Sequence, residues 1–514
     1  MKVLSIKCTL NGDMAELVDA PDSKSGDFGR LGSTPSIPTK TKVQKMRIIN
    51  VLELDYQEPI IFFQKLKGLD GLTYLDSAGK DVALNQYSYI AALPVLKIHK
   101  KKSNIFIDNK TSNSSFFEII EDLLDTLQAE KIPNLPSFQC GLAGFISYES
   151  CLDIEKIKNV KNSNYDFDDI WFGLYDVVFA FDHKKRKTYV FSVNLDDYQA
   201  NTDNMLNVVK SEYLLDLYKN DTAIVKKKHN FNFEWKPYQD KDSYKQSINK
   251  ILEYIKAGDI FQANFTHCFF ASNNSLNNHF DTYLNYRKKT QTPFSAFISN
   301  NKDDAVCSFS PERLLSLDDK IITAAPIKGT TPRGLTDKQD KALIEDLVNS
   351  KKNLAENLMI VDVLRNDISR VSITGSVEVK KLASLETYEN VHHLVSYISS
   401  RIQPGKKAVD LLKACLPGAS VTGAPKIRAM EIISELEETA RGPYCGALGY
   451  ISLCGSLDMN IPIRTILLTK DKIVVNCGGG IVSDSDSELE YQESIDKISN
   501  LLNTNYDQSQ IKLN

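Results

Sequence analysis

The sequence predicts an α/β protein of the α+β kind, and three observations carry that reading. The first half is a succession of short β-rich runs separated by polar turns. The second half alternates strand runs with helices of clear 3.6-residue periodicity. No stretch approaches the roughly 18 apolar residues of a membrane span; the most apolar run, Ile170 to Phe181, contains Asp176.

Residues 1–45 differ from the rest: they are rich in Ser, Gly, Asp, Pro and Lys and have no sustained periodicity. Met1 to Leu10 is too short and too interrupted for a signal peptide. The stretch beginning Met14-Ala-Glu-Leu-Val-Asp-Ala-Pro-Asp resembles the conceptual translation of a transfer-RNA gene. The expectation is an extension of no function, with the natural chain beginning near Met46. From 46 to 230 the chain is β-rich. Asp176–Asp182 and Thr188–Val193 read as neighbouring strands joined by the turn at His183-Lys-Lys-Arg-Lys, and Gln139–Glu149 as a strand punctuated by glycines. Residues 200–222 read as a helix and 223–240 as a polar linker.

From 231 to 505 the pattern is more regular. Ser243–Ala257 is a helix, with Tyr244, Ile248, Ile251, Leu252 and Ile255 on one face and Gly258 as its stop. A strand over Ile260–Phe270 puts Gln262, Asn264 and Thr266 on one face and Phe261, Ala263, Phe265 and Phe269 on the other. A helical run over 338–367 breaks near Ser350. Pro425 opens a helix that Arg441-Gly442 closes, and Leu489–Leu502 is the last helix. Residues 506–514 are a tail.

Lys plus Arg number 62 and Asp plus Glu 66, a net charge of −4, which excludes binding of nucleic acid through a globally basic surface. The nine cysteines are dispersed without a CxxC pair. They read as reduced thiols of a cytoplasmic protein, and no Cys/His zinc spacing exists. Any metal would be held by carboxylates, which suits a hard ion such as Mg²⁺.

Several segments carry chemistry. Glu490, Glu493 and Lys497 share one helical face, directly after Cys477-Gly-Gly-Gly. A glycine triplet at a strand end lets a backbone approach an anion. Alone, this face would be an ordinary exposed ion pair. Glu356 lies in an apolar helical run, where a carboxylate is costly unless paired. Lys328, between Pro326 and Gly329, is held in a tight segment, and a desolvated lysine amine can act as a nucleophile.

Together with Gly258-Asp-Ile-Phe-Gln-Ala-Asn, Ser310-Pro-Glu-Arg, Pro326-Ile-Lys-Gly-Thr, Ala355-Glu-Asn-Leu-Met-Ile-Val-Asp, Arg365-Asn-Asp, Val391-His-His-Leu-Val-Ser, Pro417-Gly-Ala-Ser-Val-Thr-Gly-Ala-Pro-Lys, Tyr444-Cys-Gly-Ala-Leu-Gly-Tyr and Ile463-Arg-Thr, these segments are decisive by order and spacing. The chain from Met46 to Leu501 resembles the chorismate-utilising enzymes, and among them component I of the aminodeoxychorismate synthases. The resemblance implies two antiparallel sheets packed as a core with helices outside, and one intertwined body.

It also implies roles. Glu356 and Glu493 would ligate Mg²⁺ with Glu490 behind them, clamping the ring carboxylate of chorismate. Arg464 and Tyr444, with the backbone at Gly478, Gly479 and Gly480, would hold the enolpyruvyl carboxylate. Lys497 would add positive charge, and Gln262, Thr330 and His393 would line the pocket. Gln262 stands where water-adding relatives carry a lysine, which disfavours an isochorismate-forming reaction. Lys328 stands where anthranilate-forming relatives carry alanine. By resemblance Lys328 attacks C2 of chorismate while Glu312 protonates the departing C4 hydroxyl, and ammonia enters at C4 to give 4-amino-4-deoxychorismate for para-aminobenzoate and folate synthesis. Asn353 departs from the usual Asp one turn before Glu356. Leu75-Asp-Ser-Ala resembles a segment that helps form a tryptophan pocket, where Ser77 would meet an amino acid. No Gly-x-Cys-x-Gly elbow is present, so ammonia would come from a separate glutamine amidotransferase subunit. The competing readings are anthranilate synthase component I and a catalytically silent amino-acid sensor.

Overall fold

The computed structural model describes residues 46–502 except 78–85, 159–160, 162, 164, 197–206, 221–232, 274–278, 302 and 389–390. The expected 1–45 extension, the 506–514 tail, the ends of the 200–222 helix and most of the 223–240 linker therefore lie outside the described residues.

Among the described residues, two twelve-stranded sheets, with every strand pairing antiparallel, form the core. Each sheet draws strands from both halves of the chain. In the first, Thr73–Asp76 pairs with Phe294–Ser299; in the second, Gly141–Ile146 pairs with Ala447–Ser452. The sheets meet through buried side chains: Tyr89 of the first packs edge-on against Tyr450 of the second at 5.4 Å, and the Thr73 and Tyr175 hydroxyls are 2.8 Å apart. The strands Val177–Asp182 and Lys187–Val193 pair as their alternation predicts. Both are buried almost throughout because each is covered on two faces.

Helices cover the sheets. Lys241–Ala257 carries the expected face, with Tyr244, Ile248 and Ile251 buried, and ends on Gly258 at φ +82°. The run over 338–367 divides into Asp337–Asn349 and Lys351–Ser369 at Ser350, whose hydroxyl accepts from Asn353 N–H and starts the second helix. Asn207–Lys219 is the described part of the helix expected over 200–222.

Three expectations need correction. Phe261 precedes its strand, which runs Gln262–Ser272, and is 72% exposed; its N–H donates to the Ala424 carbonyl. The helix after Pro425 ends at Leu436, short of Arg441. The chain turns there because the buried Glu437 carboxylate accepts from the Thr266 N–H and pairs with the Arg441 guanidinium. The strand read over Gln139–Glu149 spans Gly141–Ile146, and Ser147 then caps a short helix, Tyr148–Leu152.

Among the described residues no helix is long and apolar enough to cross a membrane. The eight described cysteines are all free.

Candidate active site

Lys328 lies on the strand Ile327–Pro332, which pairs with Val391–Arg401 so that Thr330 faces His393. The register shifts between Ile327 and Thr330, bulging the chain at Lys328 and Gly329. Gly329 has φ +89°, the left-handed region that favours glycine, and a Cβ there would press on the Asn353 side chain at 3.2 Å. The helix Lys351–Ser369 holds the bulge: Asn357, 1% exposed, donates to the Lys328 carbonyl at 2.8 Å and accepts from the Ser396 hydroxyl at 3.2 Å.

Glu312 reaches the same bulge. Its carboxylate accepts the Ile327 N–H at 3.4 Å, and its own N–H donates to the Ser310 hydroxyl. Burial raises its pKa, with Lys328 opposing. Burial lowers that of Lys328, with Glu356 and Glu312 opposing and Lys497 adding to the fall. Burial thus shifts both groups toward their neutral forms, the direction that proton donation and nucleophilic attack require.

The last helix, Ser487–Leu502, lies along the end of the strand Lys472–Ile481. Lys497 donates to the Gly478 carbonyl at 2.7 Å and pairs with Glu493 at 2.6 Å. A Cβ on Gly479 would meet Glu490, Lys497 and Glu493 within 3.2–3.7 Å, and one on Gly480 would stand 2.0 Å from the Gln262 amide nitrogen. Glu490 accepts from the Ser485 hydroxyl; burial and then Glu493 raise its pKa against that bond.

Cys445 N–H donates to the Pro462 carbonyl, tying the buried Tyr444 turn to the segment that carries Arg464. Burial lowers the pKa of Arg464, and no carboxylate pairs with it among the described residues. A half-buried guanidinium without a counter-charge is a ready receptor for a carboxylate. His393, bonded to the Thr330 hydroxyl at 2.7 Å, is held down to about 4 by burial, Arg464 and His392, so it is neutral at pH 7.

Residues 74–503 match the family described as chorismate binding enzyme. The chain belongs to the chorismate-binding enzymes. It is 33% identical over 448 residues to aminodeoxychorismate synthase component 1 of Escherichia coli (strain K12), covering 86% of this chain and 94% of that one. It is 32% identical over 461 residues to anthranilate synthase component 1 of Acetivibrio thermocellus, covering 87% and 92%. Anthranilate synthase component I from Streptococcus pneumoniae TIGR4 superposes with a TM-score of 0.72 at 31% identity, covering 81% of this chain and 92% of that one.

In this chorismate-binding enzyme, Lys328 feels the charges of Glu356, Glu312 and Lys497. Lys497 links them to Glu493, Glu490 and the glycines. Gln262 joins through Gly480, and Thr330 and His393 join through Arg464. Ser77 lies elsewhere, in a cavity of about 250 Å³ between the sheets whose wall includes Asp76, Arg313, Tyr450 and Asn460. Its hydroxyl donates to the Tyr87 carbonyl at 2.6 Å. Sequence reasoning missed Asn357 and the Arg441–Glu437 pair. An amide inside the apolar face of a helix was the available signal for the first; nothing local signalled the second.

The donors offered to a metal are carboxylate oxygens, which suit a hard divalent ion. Glu490 and Glu493 converge over the bare Cβ position of Gly479, and Glu356 approaches through Lys328. Among the described residues no three such side chains gather closely enough to hold an ion by themselves.

Proposed function

We propose that this chorismate-binding enzyme converts chorismate and ammonia to 4-amino-4-deoxychorismate and water. The observation that carries the reading is that the buried Glu312 carboxylate accepts from the Ile327 N–H, one residue before Lys328, with burial raising the pKa of Glu312 and lowering that of Lys328. An anthranilate-forming reaction has no evident use for that amine.

In the first step the Lys328 amine bonds to C2 of chorismate, both conjugated ring double bonds shift by one position (C1=C2 to C1=C6 and C5=C6 to C4=C5), and the C4–O bond breaks. Glu312 gives its proton to the departing hydroxyl, which leaves as water. Ammonia then bonds to C4, both double bonds shift back, and the C2–N bond breaks to free Lys328. Glu312 takes back a proton from the new ammonium group. Arg464 would fix the enolpyruvyl carboxylate, with Tyr444 and the backbone at Gly478–Gly480 beside it. Neutral His393 and Thr330 would shape the pocket. Mg²⁺, held by Glu356 and Glu493 with Glu490 behind, would neutralise and orient the ring carboxylate among these glutamates. A separate glutamine amidotransferase subunit would supply the ammonia; the E. coli relative is itself named as one component of a synthase.

The test is one incubation of the purified chain with chorismate, MgCl₂ and ammonium chloride, with products separated by chromatography. 4-Amino-4-deoxychorismate is expected. Anthranilate as the main product would replace this reading with the anthranilate synthase one, and unchanged chorismate would favour the silent sensor.

A second cavity supports a second, compatible reading. The 250 Å³ space beside Ser77 has room for one amino acid, and the unpartnered Asn460 Oδ1 offers an acceptor to its ammonium group. Calorimetric titration with tryptophan tests it; no heat at millimolar ligand would remove the reading.

A further inference from the structure

Residues 437–446, between the helix end at Leu436 and the strand Ala447–Ser452, are turns and irregular chain, and they carry Tyr444. Side-chain bonds place this stretch. Arg441 and Gly442 both direct their N–H groups at one carboxylate, that of Glu149: Arg441 N–H donates to Oε1 at 2.6 Å and Gly442 N–H to Oε2 at 3.0 Å. In the other direction, the Gly442 carbonyl accepts from the Tyr148 N–H at 2.9 Å, and the Arg441 carbonyl accepts from the Asn476 amide at 3.0 Å. Glu149 reaches the turn because Ile146 pairs with Ala447 in register and Ser147 then starts the helix Tyr148–Leu152. Gly442 has φ +62°, and a Cβ there would stand 2.5 Å from the Tyr165 hydroxyl, so the close approach requires glycine.

The same turn reaches Arg464. Tyr444 lies two residues past Gly442, and the next N–H, that of Cys445, donates to the Pro462 carbonyl at 3.0 Å. Cys445 has φ +64° and Arg464 has φ +52°. Residues other than glycine keep this left-handed conformation only where their surroundings hold them there. The backbone around both carboxylate-binding side chains is therefore held from outside, and Glu149 is the side chain that grips its near end.

We propose that Glu149 is a positioning residue for chorismate: by taking the N–H groups of both Arg441 and Gly442 it sets the turn that presents Tyr444 and, through Pro462, Arg464 to the enolpyruvyl carboxylate. The proposal rests on the roles given above to Tyr444 and Arg464. The grip needs the ionised group. Protonation turns one oxygen into an O–H donor and leaves a single strong acceptor for two N–H groups. Burial pushes the Glu149 carboxyl up to about 7, against the Arg441 N–H and the Arg441 charge, with Glu437 adding to the rise. Glu437 and Arg441 are themselves paired. The other titratable groups that face Glu149, Tyr148, Cys151 and Tyr165, are kept neutral by burial. The grip therefore weakens as pH falls through 7, and the hold on chorismate weakens with it.

The test is steady-state consumption of chorismate by the full chain between pH 6 and pH 8.5, with MgCl₂ and with ammonium chloride saturating at each pH. Glu149→Gln keeps one acceptor and sets an amide donor against the second N–H. At pH 8 its chorismate KM should be about tenfold above wild type, with kcat within about twofold. The wild-type KM should rise about fivefold from pH 8 to pH 6 while that of Glu149→Gln stays level, so the two converge in acid. Glu149→Asp, which keeps two acceptors, should regain the pH dependence. An unchanged KM in Glu149→Gln overturns the proposal. So do parallel pH profiles of variant and wild type, which mark a merely structural role, and so does a loss confined to kcat. Circular dichroism checks folding; if Glu149→Gln does not fold, the wild-type profile decides, and a KM level across the range overturns the proposal. Because KM is read from chorismate consumption, anthranilate as the product would overturn the amination reading alone, and the KM profile would still decide the role of Glu149. A wild-type chain that consumes no chorismate brings down both.

Discussion

The side-chain amide of Asn357 donates to the carbonyl oxygen of Lys328 at 2.8 Å. Through it the helix Lys351–Ser369 holds the bulge that carries the candidate nucleophile. Asn357→Asp keeps the shape and loses the donor, setting a carboxylate against a carbonyl. The expected result is a fall of about tenfold in kcat with little change in chorismate KM, corresponding to about 1.4 kcal/mol. Stopped assays at saturating chorismate check it; a change in KM alone would contradict a positioning role.

Glu312→Gln preserves an oxygen for the Ile327 N–H and removes the proton that Glu312 would give. Amination should slow by about 10²–10⁴-fold, the usual reach of a general acid. Lys328→Ala should be slowed strongly as well, and mass spectrometry of acid-quenched wild-type enzyme should show a chorismate-derived adduct on Lys328. Lys328→Ala turning over ammonium at the wild-type rate would remove this residue from the mechanism.

Gly480 and Gly479 are predicted to respond differently to an added methyl group. A Cβ on Gly480 lands 2.0 Å from the Gln262 amide and must expel it, whereas one on Gly479 sits 3.2 Å from Glu490. Gly480→Ala should raise the chorismate KM by about tenfold, and Gly479→Ala by much less, with both variants folded. Equal effects at the two positions would show that the Gln262 placement does not matter.

Metal dependence gives another check. Chelation by EDTA should stop amination, and restoring MgCl₂ should recover it. Glu493→Gln should shift the MgCl₂ midpoint upward by about 10–100-fold. Full activity in excess EDTA would rule out the proposed ion.

Stability should depend on pH through His267. Burial holds its pKa down to about 4 from 6.5, against the hydrogen bond to the Gln239 carbonyl. Between these values the unfolded chain binds the proton and the folded chain does not, so stability is fully present above 6.5 and is lost as pH falls toward 4. From pH 7 to pH 5 this group alone should cost about 2 kcal/mol. His393 works in the same direction. Burial raises the pKa of Glu149 to about 7, so it works in the opposite direction. Urea melts of wild type and His267→Gln at both pH values isolate the His267 share; identical pH slopes would refute it.

Much of this was legible in the sequence because periodicity is local. The strand at Val177–Asp182, the helix Lys241–Ala257 and its Gly258 stop follow from spacing and from the one residue that adopts φ +82° at no cost. The ordered motifs around Lys328, Glu356, Arg464 and Gly478–Gly480 pointed to chorismate chemistry before any fold was known. Local pattern failed where a distant charge decided the backbone. The helix after Pro425 stops at Leu436 because Glu437 serves Thr266 N–H and Arg441, and no periodicity encodes those partners.

By itself, then, the sequence determined the residue types, their order and the secondary structure that periodicity writes. The tertiary structure decided which of them meet. Glu312 and Lys328 are sixteen residues apart, but their opposed pKa shifts arise from burial between strands and helices drawn from distant segments. Asn264 and Thr266 come to face Gly480 and Gly478 only once two strands some two hundred residues apart are hydrogen-bonded in register. Desolvation and register are properties of the packed chain, and no stretch of sequence carries them alone.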